Sequence, residues 1–473
     1  MFHRYSRAPG CVLLGVAVLV SLSRAETPAS SPADLVKLGG FTSYFPIPPS
    51  DPSFRYVGRF DRNDANCYRF AWSACQIQFR FTGHFAVVLL EDAASGGPSK
   101  VRGNSNNYFN VVVDDRPPAA LPLEKGRSEY FVAEGLSDGE HTVTLFRRTE
   151  PLFNETRFRG IRLEGRFGKL LPPPPAPKRL IEFIGDSITA GYGNEANDAK
   201  DGFCQATENN YLAYGAITAR NLSADYVCLA WSGQGVFRDR QGKTDKTLPV
   251  LYHRALPADA NSTWDFRGYK ADVVVINLGT NDFAATAPPK EDFLKAYRGL
   301  VETVWRKHPG AHVFCCVGPM MQDNFPKDSP GLPTIRAWLT EMVAEYVKAG
   351  HKDVHYVEFD RQDHRNGLGS NYHPSLKTHR ILADKLTEAI KKEMGWAGAQ
   401  TLPAQKTPTS SPAARPTTMA KVGEEAPDFE LPRLEIGAAD ANGVAKATIS
   451  EKTVRLSSFR GKRPVVLIFS SYT

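Results

Sequence analysis

Residues 172–177 read Pro-Pro-Pro-Pro-Ala-Pro. No helix interior or central strand can run through such a stretch, because proline has no backbone N–H to donate and its ring fixes φ. From Leu170 onward the run reads as a stiff, extended connector. A second break lies between Gly398 and Ala420, where Pro403, Pro408, Pro412 and Pro416 alternate with Thr, Ala and Ser. That composition cannot form a core and reads as a linker. A chain of 473 residues is long enough for about three domains. The breaks place three units at 35–168, 179–397 and 421–473, with connectors at 169–178 and 398–420.

The first residues are an address. Arg4 and Arg7 precede an apolar run from Cys11 to Leu22, and Ser23-Arg24-Ala25 puts small residues around a cleavage point after Ala25. The run is too short to span a bilayer comfortably, so residues 1–25 read as a secretory signal peptide, with an uncleaved anchor as the alternative. The expected protein is secreted or periplasmic, with no membrane partner after cleavage. A formal charge of +7 without a long Lys/Arg run gives no support to a nucleic-acid partner. Export permits disulfides, and Cys67–Cys75 and Cys204–Cys228 are the local candidates, with buried free thiols as the other reading. Cys315 and Cys316 are neighbours in a strand-like run and should face opposite ways. No Cys-x-x-Cys, His-Glu-x-x-His or EF-hand spacing occurs, so neither metal nor cofactor is expected.

The first unit shows short alternating runs at 74–81, 84–90, 108–113 and 141–146, separated by Gly, Asp and Pro clusters. This pattern predicts a β-sandwich. The second unit alternates strands and helices. Buried strands are predicted at Leu180–Gly185, Tyr226–Ala230, Asp272–Gly279, His312–Gly318 and Val354–Phe359. Phe293, Tyr297, Leu300 and Val304 mark one helical face, and Ile335, Leu339, Met342 and Tyr346 another. Such alternation predicts a parallel sheet covered by helices on both faces, with the active site beyond the carboxyl ends of its strands.

Polar punctuation stands at those ends: Gly185-Asp186-Ser187, Trp231-Ser232-Gly233, Gly279-Thr280-Asn281-Asp282 and Asn371-Tyr372-His373-Pro374. Together they can carry out acyl transfer. A serine hydroxyl needs an adjacent base to attack, and His373 can serve Ser187. The oxyanion needs preorganised donors: the Ser187 and Gly233 N–H groups and the Asn281 amide. Pro374 should keep His373 out of the following helix, near its positive end, which favours the neutral imidazole.

These four motifs, in this order, resemble the SGNH or GDSL-type hydrolases. The resemblance implies Ser187 as nucleophile, His373 as base, and Ser187, Gly233 and Asn281 as the oxyanion hole. The phrases 107–114, 138–143 and 158–161 resemble the N-terminal jelly-roll domain of carbohydrate esterase family 2. Over about 45–395 the resemblance implies a secreted acetyl esterase. Its substrates would be acetylated polysaccharides or oligosaccharides of the xylan or glucomannan type, with a leaning to 6-O positions. The sequence departs from the SGNH pattern at Ser370 and Asn371, where an Asp is common three or two residues before the His. The expectation is therefore a Ser–His dyad and an acyl-enzyme, with a backbone carbonyl holding His373 and Asn371 as a possible orienting residue. Asp363 reads as a solvated carboxylate, His351 and His355 as surface residues, and His379 as a helix-surface residue. Trp231 could stack on a sugar or pack in the core. A competing function is a carbohydrate-binding protein with a decayed esterase site.

At the far end, Val422–Leu431 and the run Leu456–Phe469 resemble the opening of a redoxin domain of the peroxiredoxin and deiodinase-like type. The resemblance implies an incomplete thioredoxin-like fragment, cut at Ser470–Thr473 where the redox residue would follow. It also suggests a redoxin fusion whose selenocysteine codon is read as stop.

Overall fold

The computed structural model describes residues 46–92, 106–164, 168–323 and 330–396, together with strands at 12–14, 430–439, 445–455 and 465–467. The chain divides into two compact units, Ser30–Leu402 and a unit built from Met1–Ala29 with Pro403–Thr473. In the latter, Glu430–Ala439 pairs antiparallel with Ala445–Arg455, and Val12–Leu14 pairs parallel with Val465–Leu467. The remainder of the leader, of the second linker and of the redoxin-like segment lies outside the described residues.

The large unit begins with two antiparallel sheets. In chain order the strands are β1 (Arg55–Val57), β2 (Asp61–Asp64), β3 (Cys67–Phe70), β4 (Gln76–Thr82), β5 (Ala86–Asp92), β6 (Tyr108–Val113), β7 (Ala119–Pro122), β8 (Glu129–Ala133), β9 (Glu140–Arg147), β10 (Thr156–Leu163) and β11 (Lys169–Leu171). One sheet runs β11-β4-β9-β6-β7, with β1 sharing the β4 edge, and the other runs β2-β3-β10-β5-β8. Phe70 and Phe109 meet edge-on across the sheets with centroids 6.0 Å apart, inside an aromatic core that includes Phe54, Phe79 and Phe158. The alternation expected of half-buried strands is plain in β4, where every second residue is buried. Lys169–Leu171, expected to open the connector, instead pairs with Arg80–Thr82 as an edge strand. The first proline comes only after that strand, where no further N–H is needed for a ladder.

After the prolines the chain enters a five-stranded parallel sheet: β12 (Arg179–Gly185), β13 (Ala224–Ala230), β14 (Val273–Asn277), β15 (His312–Val317) and β16 (Val354–Glu358). Their order is β13-β12-β14-β15-β16. The helices are α1 (Ser187–Ala190), α2 (Tyr214–Asn221), α3 (Leu248–Leu251), α4 (Lys290–Lys307), α5 (Gly331–Lys348) and α6 (Leu376–Met394). The predicted faces of α4 and α5 are buried, Tyr346 only partly. One hydrophobic cluster collects α4, α5 and the sandwich, and another collects α2 and α6, so the central sheet is covered on both sides. The strand order reverses beside β12, since β13 lies on one side of it and β14 on the other. That is where an open α/β sheet leaves a crevice, and Ser187 sits there.

All six cysteines of the described residues are free thiols. Cys75 is buried with its Sγ 3.4 Å from the Arg59 carbonyl, and Cys228 lies against Asn210. His379 is not on the helix surface. It falls on the stripe continued by Leu382, Leu386 and Ile390, is buried, and accepts the Tyr214 N–H at 3.2 Å. Burial and the nearby His373 push its imidazole down to about 3. His351 is exposed as expected, whereas His355 is partly buried and 2.9 Å from His312. No helix among the described residues is long and apolar enough to cross a membrane.

Candidate active site

The turn after β12 requires Gly185, because a Cβ there would stand 2.1 Å from Thr189 Oγ1. Asp186 caps the short helix α1, its Oδ1 accepting the Ile188 N–H at 3.0 Å. Thr189 bonds Tyr214 Oη at 2.9 Å, and Asn277 donates to the same oxygen at 3.1 Å, so the helix is tied to the sheet beneath it. Ser187 is thereby fixed at the strand end with only 8% of its surface exposed.

Ser187 Oγ lies 2.8 Å from His373 Nε2. On the other side of the ring, Nδ1 lies 3.0 Å from the Ser370 carbonyl and 3.3 Å from that of Asn371. A carbonyl can only accept, so Nδ1 carries the proton and Nε2 is the bare nitrogen facing the serine. The turn that aims these carbonyls places Asn371 and Tyr372 at φ 50° and 64°, both left-handed. Its anchor is Ser370, whose N–H donates to the Gly193 carbonyl at 3.0 Å. Gly193 must be glycine, since at φ +55° a Cβ would meet Ser370 Cβ at 2.3 Å.

The Asn371 side chain does not reach His373. It donates to Tyr192 Oη at 2.9 Å, and Tyr192 packs on the imidazole with ring centroids 4.2 Å apart. The Asn371 carbonyl and the Tyr192 ring meet the imidazole, and the Asn371 amide does not. Burial pushes the His373 imidazole down to about 4, and Arg240 adds to the shift. The helix-end explanation gives way to burial, since α6 starts only at Leu376 with Ser375 as its cap. Asp363 is paired with Arg365 and its side chain is 38% exposed, well apart in role from the base.

Gly233 follows β13 at φ +82°, which only glycine adopts without strain. Among the described residues its N–H has no protein acceptor. Asn281 Nδ2 is held by Asp186 Oδ2 at 3.2 Å and by the Gln234 carbonyl at 2.9 Å. Asp282 accepts three consecutive backbone N–H groups, those of Val236, Phe237 and Arg238, at 2.7–3.0 Å. It pins the far end of the Gly233 loop. Asp186 is pushed up to about 7 by burial, with further contributions from the charges of Asp282 and Glu150. Trp231 is buried in the core, with Lys246 Nζ 4.4 Å above its ring.

The arrangement brings Ser187, His373, Gly233 and Asn281 to one end of the sheet. It sets a hydroxyl against a neutral imidazole with a fixed tautomer, with Gly233 and Asn281 past the ends of the strands on either side of β12. Among the described residues no group of three His, Cys, Asp or Glu is placed to hold a metal ion. Sequence reasoning missed Glu150, which lies in the other domain, and Tyr192, five residues past Ser187; the backbone carbonyl it expected against His373 is that of Ser370.

Two family models match the chain. One is described as carbohydrate esterase 2 N-terminal and covers residues 56–174; the other, the GDSL-like lipase/acylhydrolase family, covers 183–381. A cellulase/esterase, CelE, from Acetivibrio thermocellus is 39% identical over 346 residues, 73% of this chain, but this chain spans only 40% of that protein's length. An acetylxylan esterase/glucomannan deacetylase of Cellvibrio japonicus is 26% identical over 354 residues, covering 74% of this chain and 91% of its own. A solved family two carbohydrate esterase from Clostridium thermocellum, in complex with cellohexaose, is 38% identical with a TM-score of 0.67. It is covered over its whole length by 73% of this chain.

Proposed function

The chain belongs to carbohydrate esterase family 2 and is a carboxylic ester hydrolase, and from that premise we propose that it is a secreted enzyme removing O-acetyl groups from polysaccharide of the xylan or glucomannan type through a Ser187–His373 dyad. The observation that carries the reading is the 2.8 Å contact of Ser187 Oγ with a His373 whose other nitrogen is committed to a backbone carbonyl.

The reaction follows from that geometry. Ser187 Oγ attacks the acetyl carbonyl while His373 Nε2 takes its proton. The oxyanion is met by the N–H groups of Ser187 and Gly233 and by the Asn281 amide, which exchanges one of its two protein acceptors for it. Collapse expels the sugar oxygen, which receives the proton from Nε2. Water, deprotonated by the same nitrogen, then attacks the acetyl-serine; acetate leaves and Ser187 is restored. Two carbonyl dipoles replace the carboxylate that would otherwise steady the imidazolium. They hold the tautomer without supplying a full charge.

The polysaccharide preference rests on the names of the relatives, and secretion rests on the leader-like residues 1–25. Incubating the purified chain with acetylated xylan and acetylated glucomannan and measuring free acetate tests the activity. Acetate release from either, lost on Ser187→Ala, is expected. Release from neither, with p-nitrophenyl acetate also untouched, would overturn it.

A further inference from the structure

Glu150 leaves the sandwich just past β9, as the cap of a short 3-10 turn at Pro151–Phe153. It is fully buried and reaches into the neighbouring α/β domain. One carboxyl oxygen accepts the Ser232 N–H at 2.6 Å, and the other takes the Ser232 hydroxyl. Both donors of the residue immediately before Gly233 are thus satisfied by one side chain from another domain.

A second buried carboxyl, Glu208, lies against the first, its Oε2 3.4 Å from the Glu150 N–H. Glu208 Oε1 is shielded and has no partner. The nearby cations are committed elsewhere. Arg147 donates to backbone carbonyls and to Thr156, and Arg148 to the Glu208 and Ala206 carbonyls and to Glu195. Two carboxylates cannot both be ionised in such a place. Burial raises both groups, Glu150 to about 7, and the charge of Glu150 raises Glu208 further, so Glu208 holds its proton the more strongly while Glu150 accepts from Ser232. Burying a charge is costly without strong partners, and here the partners are the two Ser232 donors.

We propose that Glu150 is a positioning residue for the oxyanion hole: the sandwich domain extends its carboxyl to clamp Ser232 and so sets the direction of the Gly233 N–H. Asp282 holds the other end of the same loop through Val236–Arg238, so the loop is tied down at both ends by buried carboxylates. A donor displaced by about 1 Å loses much of its effect on the transition state and little on substrate binding. The proposal rests on the esterase reading of the Ser187 site.

The test is the kinetics of the full chain on p-nitrophenyl acetate. Glu150→Ala should lower kcat roughly 10- to 100-fold, a part of what losing an oxyanion donor outright costs, with KM nearly unchanged. Glu150→Gln keeps the shape and an acceptor and should recover kcat to within about threefold of wild type. If Glu150→Ala does not fold by circular dichroism, Ser232→Ala removes half the clamp from the other side; its kcat should fall roughly 3- to 10-fold at constant KM. A folded Glu150→Ala with wild-type kcat, a loss confined to KM, a Gln variant no better than Ala, or an unaffected Ser232→Ala overturns the proposal. A wild-type protein that hydrolyses no acetyl ester overturns the esterase reading instead, and the proposal falls with it.

Discussion

Lowering the pH probes the state of His373 directly. An ordinary histidine, with a pKa of about 6.5, is only about 9% neutral at pH 5.5. Burial among Tyr192, Ser187 and the 370–372 turn, with Arg240 nearby, pushes His373 down to about 4. With that value about 97% remains the neutral base at pH 5.5, a tenfold advantage over an unperturbed imidazole. The sign follows from the charged form being the one that burial disfavours, so the base survives to lower pH. The assay is kcat/KM on p-nitrophenyl acetate from pH 4 to 8, paired with a titration of the imidazole 15N shifts. The acid limb should lie well below pH 6, and the shifts should show Nδ1 protonated and Nε2 bare. An inflection near 6.5 in both measurements, or the opposite tautomer, would contradict a His373 kept neutral by burial.

Other outcomes follow from the same geometry. Asn371→Ala loses the bond to Tyr192 and a left-handed-tolerant residue but keeps the Ser370 carbonyl on Nδ1, so kcat should fall less than about tenfold. His373→Ala should cost on the order of 10³-fold or more; equal losses in the two would contradict a base held by carbonyls. Asn281→Ala should reduce kcat by about 10²–10³ with little change in KM, measured at saturating substrate. Gly185→Ala places a Cβ 2.1 Å from the buried Thr189 hydroxyl and should destabilise by about 1–3 kcal/mol, read as a lowered Tm. Adding Thr189→Ala should give part of it back.

The parallel sheet was legible because its strands are unbroken buried runs of β-branched and aromatic residues, Val273–Ile276 above all. The four motifs were legible because each stands at a strand or helix boundary, where composition changes abruptly. The sandwich was less so. Asp61–Asp64 is an edge strand of polar residues and Ala119–Pro122 is almost wholly exposed, so neither carries an alternating signal. His379 lies on the buried stripe through Leu382, Leu386 and Ile390, so its place on the helix, not its polarity, decides its burial. Glu150 and Glu208 stand 58 residues apart in different domains, and only the folded chain brings them behind Ser232. The carbonyls that hold His373 leave no trace in side-chain identity at all, except for an asparagine at a position that needs positive φ.

In the proposed reaction Ser187 carries the acyl group. Mixing the enzyme with an acetyl ester, quenching in acid before turnover is complete and mapping peptides by mass spectrometry reads this directly. One acetyl group is expected on the peptide containing Ser187, absent from Ser187→Ala, which also releases no acetate. Acetate release without acetylation of Ser187, or a Ser187→Ala variant that keeps wild-type turnover, would contradict it.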